Sequence, residues 1–224
     1  MVPIDADSEI SAADLYHALM TARAQTGRLR SVIFLLAETF DIAETLRSAS
    51  DDALAERGFS AAEIQILRDA LQPLRHFSWL EGFRVAGCAR PQSPAGVTAL
   101  AAEGVRRVVT LTEQPLPALW LAEAGIEAEH VPMPDVLAPH VSSLQLAVAA
   151  VERGLRDDHS VAVHCNAGIG RTATVLAAFL VGRGFGVEPA IETVKRARPR
   201  SQISPDQRRV LARFFDEVRA AGGG

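Results

Sequence analysis

One short segment, His-Cys-Asn-Ala-Gly-Ile-Gly-Arg-Thr at positions 164–172, constrains the fold of this chain more than any other. A short apolar run before it, 160–163, is typical of a buried strand, and a longer apolar run after it, 173–181, is typical of a buried helix. A glycine-containing turn between a strand and a helix directs several backbone N–H groups at one point. The segment therefore predicts an anion-binding loop.

The side chains of this segment indicate what the loop does. Cys165 would be surrounded by N–H donors and the positive end of a helix dipole, which favours the thiolate. A phosphate suits the same loop, because its oxygens match the guanidinium fork of Arg171. Gly168 and Gly170 permit close backbone approach, and Thr172 can direct its hydroxyl at the sulfur. A lone cysteine is usually a small buried residue, but this combination and spacing favour a catalytic nucleophile.

The segment resembles the His-Cys-x5-Arg-Ser/Thr signature of the cysteine-dependent protein-tyrosine phosphatase superfamily. It is most similar to the small atypical dual-specificity phosphatases, which carry a similar Val-His-Cys-x-x-Gly-x-Gly-Arg-Thr loop. The resemblance covers roughly residues 77–218 and leaves residues 1–75 outside it. It implies a phosphate-binding loop formed by Asn166, Ala167, Gly168, Ile169, Gly170 and Arg171.

Asp135 is the candidate general acid, since a departing tyrosine or serine oxygen needs a proton donor. It lies in a proline-rich segment, 131–139, after a predicted strand, where an aspartate is usually a turn or capping residue. The superfamily's general acid lies in a strand-following loop about 30 residues before the cysteine, and the offset here is 30. The resemblance therefore implies this role for Asp135. Asp157 and Asp158 precede the next strand, at its far end from Cys165.

Two further residues each have two interpretations. His164 is either a satisfied core histidine or, by resemblance, a residue that hydrogen-bonds behind the loop and supports the thiolate without transferring a proton. Gln207 is similar in spacing to a superfamily glutamine that positions the hydrolytic water. The segment 204–207, Ser-Pro-Asp-Gln, is equally a capping box with proline at the first helical position.

Three other features lie near the predicted site. Arg90 follows a predicted strand and could contact substrate, although a solvated surface arginine is the favoured interpretation. Cys88 could trap an oxidised Cys165 as a disulfide, although plain burial is favoured. The basic run 195–200 is interpreted as a solvated helix end that could shape the rim of the pocket.

From residue 77 onward, strand and helix patterns alternate. This alternation predicts an α/β fold with a mostly parallel central sheet flanked by helices, similar to that of the dual-specificity phosphatases. In such open sheets ligands bind beyond the carboxyl ends of the strands, where Cys165 falls. Strands are predicted at 82–87, 105–111, 126–131 and 160–163. Helices are predicted at 93–103, 117–124, 142–157, 173–181, 189–198 and 205–221.

The N-terminal part of the chain has a different pattern. Residues 9–72 are amphipathic and predicted to be helical, with helices at 11–27, 31–48, 51–57 and 60–72. We therefore expect a helical extension over residues 1–75 and a phosphatase catalytic domain over residues 76–221. The extension could be a docking module or a lid, although helices that only pack on the catalytic domain are favoured.

Composition excludes several other classes of protein. The chain has 224 residues, of which 48% are hydrophobic and 22% charged, as in ordinary globular proteins. Its net charge of −4 gives no electrostatic argument for nucleic acid or an anionic membrane. The two cysteines exclude a disulfide scaffold and suit a reducing compartment. Acidic residues interrupt the first ten positions, so we expect no signal peptide and a cytoplasmic protein.

The expected activity is metal-independent phosphomonoester hydrolysis through a cysteinyl-phosphate. No cofactor or metal is expected, because no cluster of His, Asp or Cys has metal-ligand spacing. The resemblance implies phosphorylated protein or peptide substrates, with phosphotyrosine first and phosphoserine or phosphothreonine second. Positions 166–170 lack Lys and Arg, which argues against inositol phosphates. A rhodanese-type sulfurtransferase, which would not need Asp135, and a non-catalytic phospho-binding module are the alternatives.

Overall fold

The computed structural model describes residues 49–56, 59–61, 64, 74–135 and 138–222. The predicted helices at 11–27 and 31–48, and most of the one at 60–72, lie outside the described residues. The chain divides into two compact units, Met1–Gln72 and Pro73–Gly224. In the first unit the structure describes helix α1, Asp51–Glu56, where the sequence predicts a short helix.

The second unit is built on a sheet whose described strands are five in number. They are β1 (Ser78–Trp79), β2 (Val85–Ala89), β3 (Arg107–Thr110), β4 (Glu127–His130) and β5 (Val161–Cys165). Their order is β1-β2-β5-β3-β4, and every pairing except β1 with β2 is parallel. The mostly parallel sheet predicted from the sequence is therefore confirmed.

The first part of the sheet differs from the prediction. The predicted strand at 82–87 begins later, at Val85, because Gly82 has a φ of +79° and forms the turn between β1 and β2. The two-residue strand β1 has no alternating pattern long enough to predict it. It pairs antiparallel with β2, so that Ser78 lies opposite Gly87.

Six helices of the second unit pack on both faces of the sheet. They are α2 (Pro94–Ala102), α3 (Ala118–Ala124), α4 (Val141–Arg156), α5 (Arg171–Gly182), α6 (Val187–Ala197) and α7 (Pro205–Gly222). Each lies within about two residues of its predicted bounds, as expected for helix ends. The cap predicted for α2 is present, since Ser93 Oγ accepts a hydrogen bond from the N–H of Gly96. Within the described residues, no helix is long and apolar enough to cross a bilayer.

Strand β5 lies in the middle of the sheet and alternates its side chains between two apolar clusters. Val161, Val163 and Cys165 belong to the larger cluster, together with residues of α4 to α7. Ala162 belongs to the smaller cluster on the other face, with residues of α2 and Cys88 of β2. Because strand side chains alternate with a period of two, His164 shares the face of Ala162 and not that of Cys165.

The parallel register determines where the site forms. Ala89 of β2 lies beside Cys165, and Thr110 of β3 lies beside His164. The carboxyl ends of three adjacent strands therefore meet at Cys165. Helix α5 begins at the same edge and continues through the core, with every residue from Arg171 to Val181 buried.

We expect Leu176→Ala to lower the free energy of unfolding by about 2–5 kcal/mol, because it leaves a cavity where a fully buried side chain packs in α5. Leu146→Ala makes the same chemical change on α4 at a side chain that is 59% exposed, and it should change stability by less than about 0.5 kcal/mol. Urea denaturation of both variants measures the difference. Equal losses would show that α5 is not the buried centre of this unit.

Candidate active site

Cys165 and Arg171 are positioned by consecutive elements. Strand β5 ends at Cys165 and helix α5 begins at Arg171, so residues 166–170 form the turn between them. Cys165 is 3% exposed, and its Sγ accepts a hydrogen bond of 3.3 Å from the N–H of Gly168. The predicted arrangement of strand, turn and helix is therefore present.

The carbonyl groups of this turn are held from outside it. Two carbonyls accept from backbone N–H groups: Asn166 O from Arg90 (3.1 Å) and Ile169 O from Gln202 (3.2 Å). Two contact side chains: Ala167 O lies 2.9 Å from His76 Nδ1, and Gly168 O accepts from Arg198 Nη2 (2.8 Å). Gly170 O accepts from both N and Oγ1 of Thr174 (2.9 and 3.0 Å). In a trans peptide the N–H points opposite to the C=O. The N–H groups that follow these carbonyls are therefore directed inward.

Gly168 allows this turn to pack against the end of β2. Its φ is +73°, and a Cβ added there would lie 2.5 Å from Cys88 O and 2.6 Å from Ala89 N. Both the dihedral angle and the close approach exclude any side chain at this position. Of the two glycines predicted to permit close approach, Gly168 does so, although the approach is to the protein's own backbone. The prediction is wrong for Gly170, whose φ is −95° and where an added Cβ would lie no closer than 3.5 Å to another atom.

Arg171 is fixed by the ends of the neighbouring strands. The side chain is 3% exposed, and its Nη1 donates to Met133 O (2.8 Å) and Leu111 O (3.3 Å). Its Nη2 lies 2.9 Å from Asp135 Oδ1. Its Nε is buried and has no hydrogen-bond partner among the described residues. These contacts hold the guanidinium at the edge of the turn.

Asp135 reaches the turn although it lies 30 residues away in sequence. It pairs with Arg171 and is 54% exposed, and its backbone N–H donates to Glu113 Oε1 at 3.1 Å. Both carboxylates lie near the same guanidinium, since Glu113 Oε1 is 3.4 Å from Arg171 Nη1. The structure therefore brings the predicted general acid to the nucleophile's loop.

Glu113 is a residue that sequence analysis missed. It follows β3 closely, and the rule that ligands bind beyond the carboxyl ends of parallel strands could have identified it. A hydrogen bond to its own backbone N–H lowers the pKa of Glu113 most, burial opposes this effect, and the charge of Arg171 lowers the pKa further. The carboxylate thus favours its ionised form beside the arginine.

The structure confirms one of the two interpretations of Gln207, the capping box, and places its side chain in the cleft. Its Oε1 accepts from the N–H of Ser204 (2.9 Å), and its N–H donates to Ser204 Oγ (3.2 Å), which confirms the capping box. The same side chain is buried and lines the cleft, and its Nε2 lies 3.5 Å from the position of a Cβ on Gly170. The cap therefore holds the amide group against the turn.

His164 and Thr172 are both buried behind the turn. His164 Nε2 is 2.8 Å from Thr110 Oγ1, and burial, as the largest cause, lowers the pKa of His164 to about 3. The ring is therefore neutral and lies on the opposite face of β5 from the Cys165 side chain. Thr172 Oγ1 has no hydrogen-bond partner in the part of the chain that the structure describes, so the expected contact with the sulfur is not formed here.

Two arginines differ from their sequence interpretations. Arg198 is 5% exposed, so it is not part of a solvated helix end; it donates to Gly87 O, Gly168 O and Ser78 Oγ. The favoured interpretation of Arg90 as a solvated surface residue is also wrong. Its guanidinium is half-buried and donates to three acceptors in the loop after β3: Thr112 Oγ1, Gln114 O and Pro115 O. Sequence spacing gives no signal for such contacts between distant segments.

Cys88 is separated from the nucleophile by the sheet. It is fully buried in the smaller apolar cluster, whereas Cys165 belongs to the larger cluster on the other face. Burial raises the pKa of Cys88 to about 12. These observations favour plain burial and oppose a disulfide with Cys165.

The turn forms one wall of an open cleft of about 370 Å³. Asp135 and Gln207 lie on its other walls, with residues 202–204 between α6 and α7. Among the residues that the structure describes, no group of three or more His, Cys, Asp or Glu side chains is placed to hold a metal ion. The cleft thus combines a thiol, inward N–H groups, a buried guanidinium and a carboxylate.

We expect Gly168→Ala to weaken binding of orthovanadate at least about tenfold, because the Cβ displaces the turn from Cys88 and Ala89. Gly184→Ala is the matched control, since φ there is +92° but no atom lies within 4 Å of the added Cβ. It should cost about 1–2 kcal/mol of stability without changing anion affinity. Isothermal titration calorimetry measures both affinities, and unchanged binding by Gly168→Ala would contradict this account of the turn.

Comparison with known proteins relates this site to a family. Residues 74–213 match the family described as "PTP-SAK: Swiss Army Knife protein, DSP-PTPase phosphatase domain". Phosphatidylglycerophosphate phosphatase PTPMT2 of Arabidopsis thaliana is 33% identical over 117 residues, which are 50% of this chain and 51% of that protein. Human dual specificity phosphatase 28 is 30% identical over 144 residues, or 63% of this chain and 76% of that protein.

Mouse phosphatidylglycerophosphatase and protein-tyrosine phosphatase 1 is 31% identical over 127 residues, which are 53% of this chain and 65% of that protein. The chain thus spans about half of the plant relative and less than two thirds of the mouse relative. The crystal structure of PTPMT1 is similar with a TM-score of 0.60 and 27% identity, covering 66% of this chain and 98% of that chain. The crystal structure of Tk-PTP in the active form gives a TM-score of 0.57 and 30% identity, covering 63% and 97%.

These comparisons confirm the α/β dual-specificity phosphatase fold and the resemblance carried by residues 164–172. The family match covers more than half of the chain and includes every residue of the cleft. The chain therefore belongs to the DSP-PTPase phosphatase family.

Proposed function

We propose that this protein hydrolyses phosphomonoesters without a metal, through a phosphate bound covalently to Cys165. The observation that carries the proposal is the cleft in which Cys165 Sγ, Arg171 and Asp135 meet, with the N–H of Gly168 donating to the sulfur. Donors arranged around a buried sulfur favour its thiolate, which is the nucleophilic form.

In the first step, the Cys165 thiolate attacks phosphorus, forming an S–P bond as the P–O bond to the leaving group breaks. The inward N–H groups of residues 167–171 and the guanidinium of Arg171 hold the three non-bridging oxygens and stabilise their charge. Asp135 donates its proton to the departing oxygen. Because Asp135 pairs with Arg171, its carboxyl group lies beside the proposed position of the phosphate.

In the second step, water attacks phosphorus and the S–P bond breaks, which releases inorganic phosphate and restores the thiolate. Asp135, now ionised, accepts the proton from this water, and Gln207 is proposed to orient it. The capping contact of Gln207 with Ser204 supports this role, because it fixes the amide group on the wall of the cleft.

His164 and Thr172 are proposed to support the reaction from behind the turn. The neutral ring of His164 fixes the end of β5 to β3 through Thr110. The Thr172 hydroxyl, which has no partner among the described residues, is proposed to rotate toward the sulfur when the S–P bond breaks. That contact would stabilise the thiolate as it leaves.

The proposed substrates are phosphotyrosine proteins or peptides, with phosphoserine and phosphothreonine as secondary substrates. The similarity to human dual specificity phosphatase 28 supports this choice. A second candidate is a glycerophospholipid phosphomonoester, because the plant relative is named a phosphatidylglycerophosphate phosphatase and the mouse relative a phosphatidylglycerophosphatase and protein-tyrosine phosphatase. The two candidate substrate classes are therefore phosphoproteins and phospholipids.

The remaining organisation is proposed as follows. Residues 76–221 form the catalytic domain, residues 1–75 form a helical extension, and the protein is cytoplasmic. Nucleic acids and membranes are not proposed partners. The family match supports the domain over residues 74–213 and favours a phosphatase over a rhodanese-type sulfurtransferase or a non-catalytic phospho-binding module.

We expect the full chain to hydrolyse p-nitrophenyl phosphate in the presence of EDTA, and Cys165→Ser to reduce kcat by at least about 10³-fold because the nucleophile is lost. Arg171→Ala should reduce kcat/KM by at least about 10²-fold, since the charge that holds the phosphate oxygens is lost. Arg84→Ala removes an exposed arginine remote from the cleft and serves as the control. Full activity of Cys165→Ser would refute the mechanism, and thiosulfate-dependent sulfur transfer would favour the sulfurtransferase.

We expect the effect of Asp135→Asn to depend on the leaving group. Phosphotyrosine has the poorer leaving group and should lose about 10²-fold or more in kcat, whereas p-nitrophenyl phosphate should lose less, because nitrophenolate departs readily without a proton. Asp158→Asn changes an exposed aspartate outside the cleft and should leave both rates unchanged. Equal losses on the two esters would contradict the assignment of Asp135 as the general acid.

The substrate class can be measured directly. We expect kcat/KM for phosphotyrosine peptides to exceed that for phosphatidylglycerophosphate in mixed micelles by at least about tenfold, a difference of about 1.4 kcal/mol in transition-state binding. Cys165→Ser provides the blank for both assays. A preference for the phospholipid would replace the phosphoprotein assignment while retaining the hydrolase.

A further inference from the structure

One carbonyl of the phosphate-binding turn is held by a side chain that the mechanism above does not use. His76 Nδ1 is 2.9 Å from Ala167 O, and the two residues are 91 positions apart in sequence. The other carbonyls of residues 166–170 are bound by backbone N–H groups, by Arg198 or by Thr174. Among these donors, His76 is the one whose donor state depends on its tautomer.

The carbonyl that His76 holds belongs to a particular peptide unit. Ala167 C=O and Gly168 N–H are the two ends of one planar group, and this N–H donates to Cys165 Sγ at 3.3 Å. When the carbonyl is held outward, the N–H is necessarily directed inward, at the sulfur. The contact of His76 with Ala167 O therefore orients the Gly168 N–H toward Cys165 Sγ, although His76 does not touch the sulfur.

This peptide needs an external contact because its neighbour is a glycine. Rotating the peptide plane changes ψ of Ala167 and φ of Gly168, and a glycine accepts either sign of φ at little cost. Gly168 itself cannot move away, since its Cα packs on the backbone of Cys88 and Ala89. A rotated peptide would turn the carbonyl oxygen toward the sulfur and repel both a thiolate and a phosphate.

Contacts on both ring nitrogens fix His76 in one tautomer. Arg200 Nη1 lies 2.8 Å from His76 Nε2, and because a guanidinium only donates, Nε2 must accept and Nδ1 must carry the proton. The backbone of His76 has a φ of +53°, which is unusual for a residue with a side chain. The preceding carbonyl, of Arg75, accepts from the N–H of Ala89 at the end of β2.

The charges around the ring agree with this tautomer. Burial lowers the pKa of His76 most; the hydrogen bond to Ala167 O opposes it, and the positive charges of Arg200, Arg75 and Arg198 lower the pKa further. The imidazole is therefore neutral near pH 7, with a single proton to donate.

We propose that His76 is a positioning residue for the phosphatase reaction, which fixes the 167–168 peptide so that the Gly168 N–H stabilises the Cys165 thiolate. The inference rests on the proposed function for its effect on turnover, but its effect on the sulfur is independent of any substrate. In this proposal, the hydrogen bond from Arg200 to Nε2 selects the tautomer of His76.

The test compares two variants of the full chain that both tolerate a positive φ. His76→Gly lacks the donor and relieves the backbone, whereas His76→Asn retains an amide N–H near the place of Nδ1 and, like glycine, accepts this backbone region. The pH dependence of Cys165 alkylation by iodoacetamide is measured first, with Cys165→Ser as the blank for the buried Cys88. Hydrolysis of p-nitrophenyl phosphate and thermal midpoints are measured on the same preparations.

We expect His76→Gly to raise the alkylation midpoint by about one pH unit, a tenfold change in the thiol equilibrium, and to lower kcat/KM about tenfold. His76→Asn should stay within about twofold of the unchanged protein in kcat/KM, as expected when a hydrogen bond is kept. A purely structural role would lower the thermal midpoint without moving the alkylation midpoint, and that result would overturn the proposal. Equal impairment of the Asn and Gly variants would overturn it as well.

His76→Ser, whose hydroxyl is too short to reach Ala167 O, replaces the glycine variant if the latter does not fold, with the same expected shifts. If the unchanged chain hydrolyses no aryl phosphate, the proposed function fails, whereas the alkylation profiles still decide the role of His76. The two hypotheses therefore fail on different measurements.

Discussion

The site depends on the orientation of the five peptide groups whose carbonyls belong to residues 166–170. Backbone N–H groups that converge on one point repel one another when no anion is present, so such a turn needs contacts that oppose rotation of its peptides. Here the contacts come from behind. The donors lie in the segments before β1, after β2, after α6 and before α7, and in α5, and each holds a carbonyl oxygen. The packing of Gly168 on Cys88 and Ala89 leaves no space for the turn to relax. Preorganisation of this kind is the main source of transition-state stabilisation in charged sites.

The strand order explains why these contacts are available. Because β5 lies between β2 and β3, the turn that follows Cys165 has the end of one strand on each side. The end of β2 supports Gly168, whereas the segments after β3 and β4 supply Leu111 O and Met133 O to the guanidinium of Arg171. An edge strand could not provide both. The central position of β5 is therefore a requirement of the site as well as of the core.

The sequence predicted the parts of this arrangement that are local. Helix bounds, the parallel sheet, the strand–turn–helix around Cys165 and the capping box at Gln207 follow from periodicity and spacing, and the family resemblance located Asp135. Contacts between distant segments were not predictable, because Arg198 and Arg90 appear in sequence as ordinary polar residues near a loop. Both bury a guanidinium against backbone carbonyls, a role that depends on the fold and leaves no periodic signal. Glu113 and His76 were missed for the same reason.

The pairing of Asp135 with Arg171 connects the two halves of the proposed reaction. A guanidinium has several donors, and Arg171 uses one nitrogen on the ends of the strands and another on Asp135, while Nε remains within the cleft wall. In the proposed reaction, a phosphate shares this guanidinium with the carboxylate, which would bring the leaving oxygen within reach of the proposed acid, Asp135. In a site of this type, binding of the phosphate and placement of the proton donor are set by one side chain. Its own position is set by Met133 O and Leu111 O, and for this reason the strand ends contribute to the chemistry although they touch no substrate.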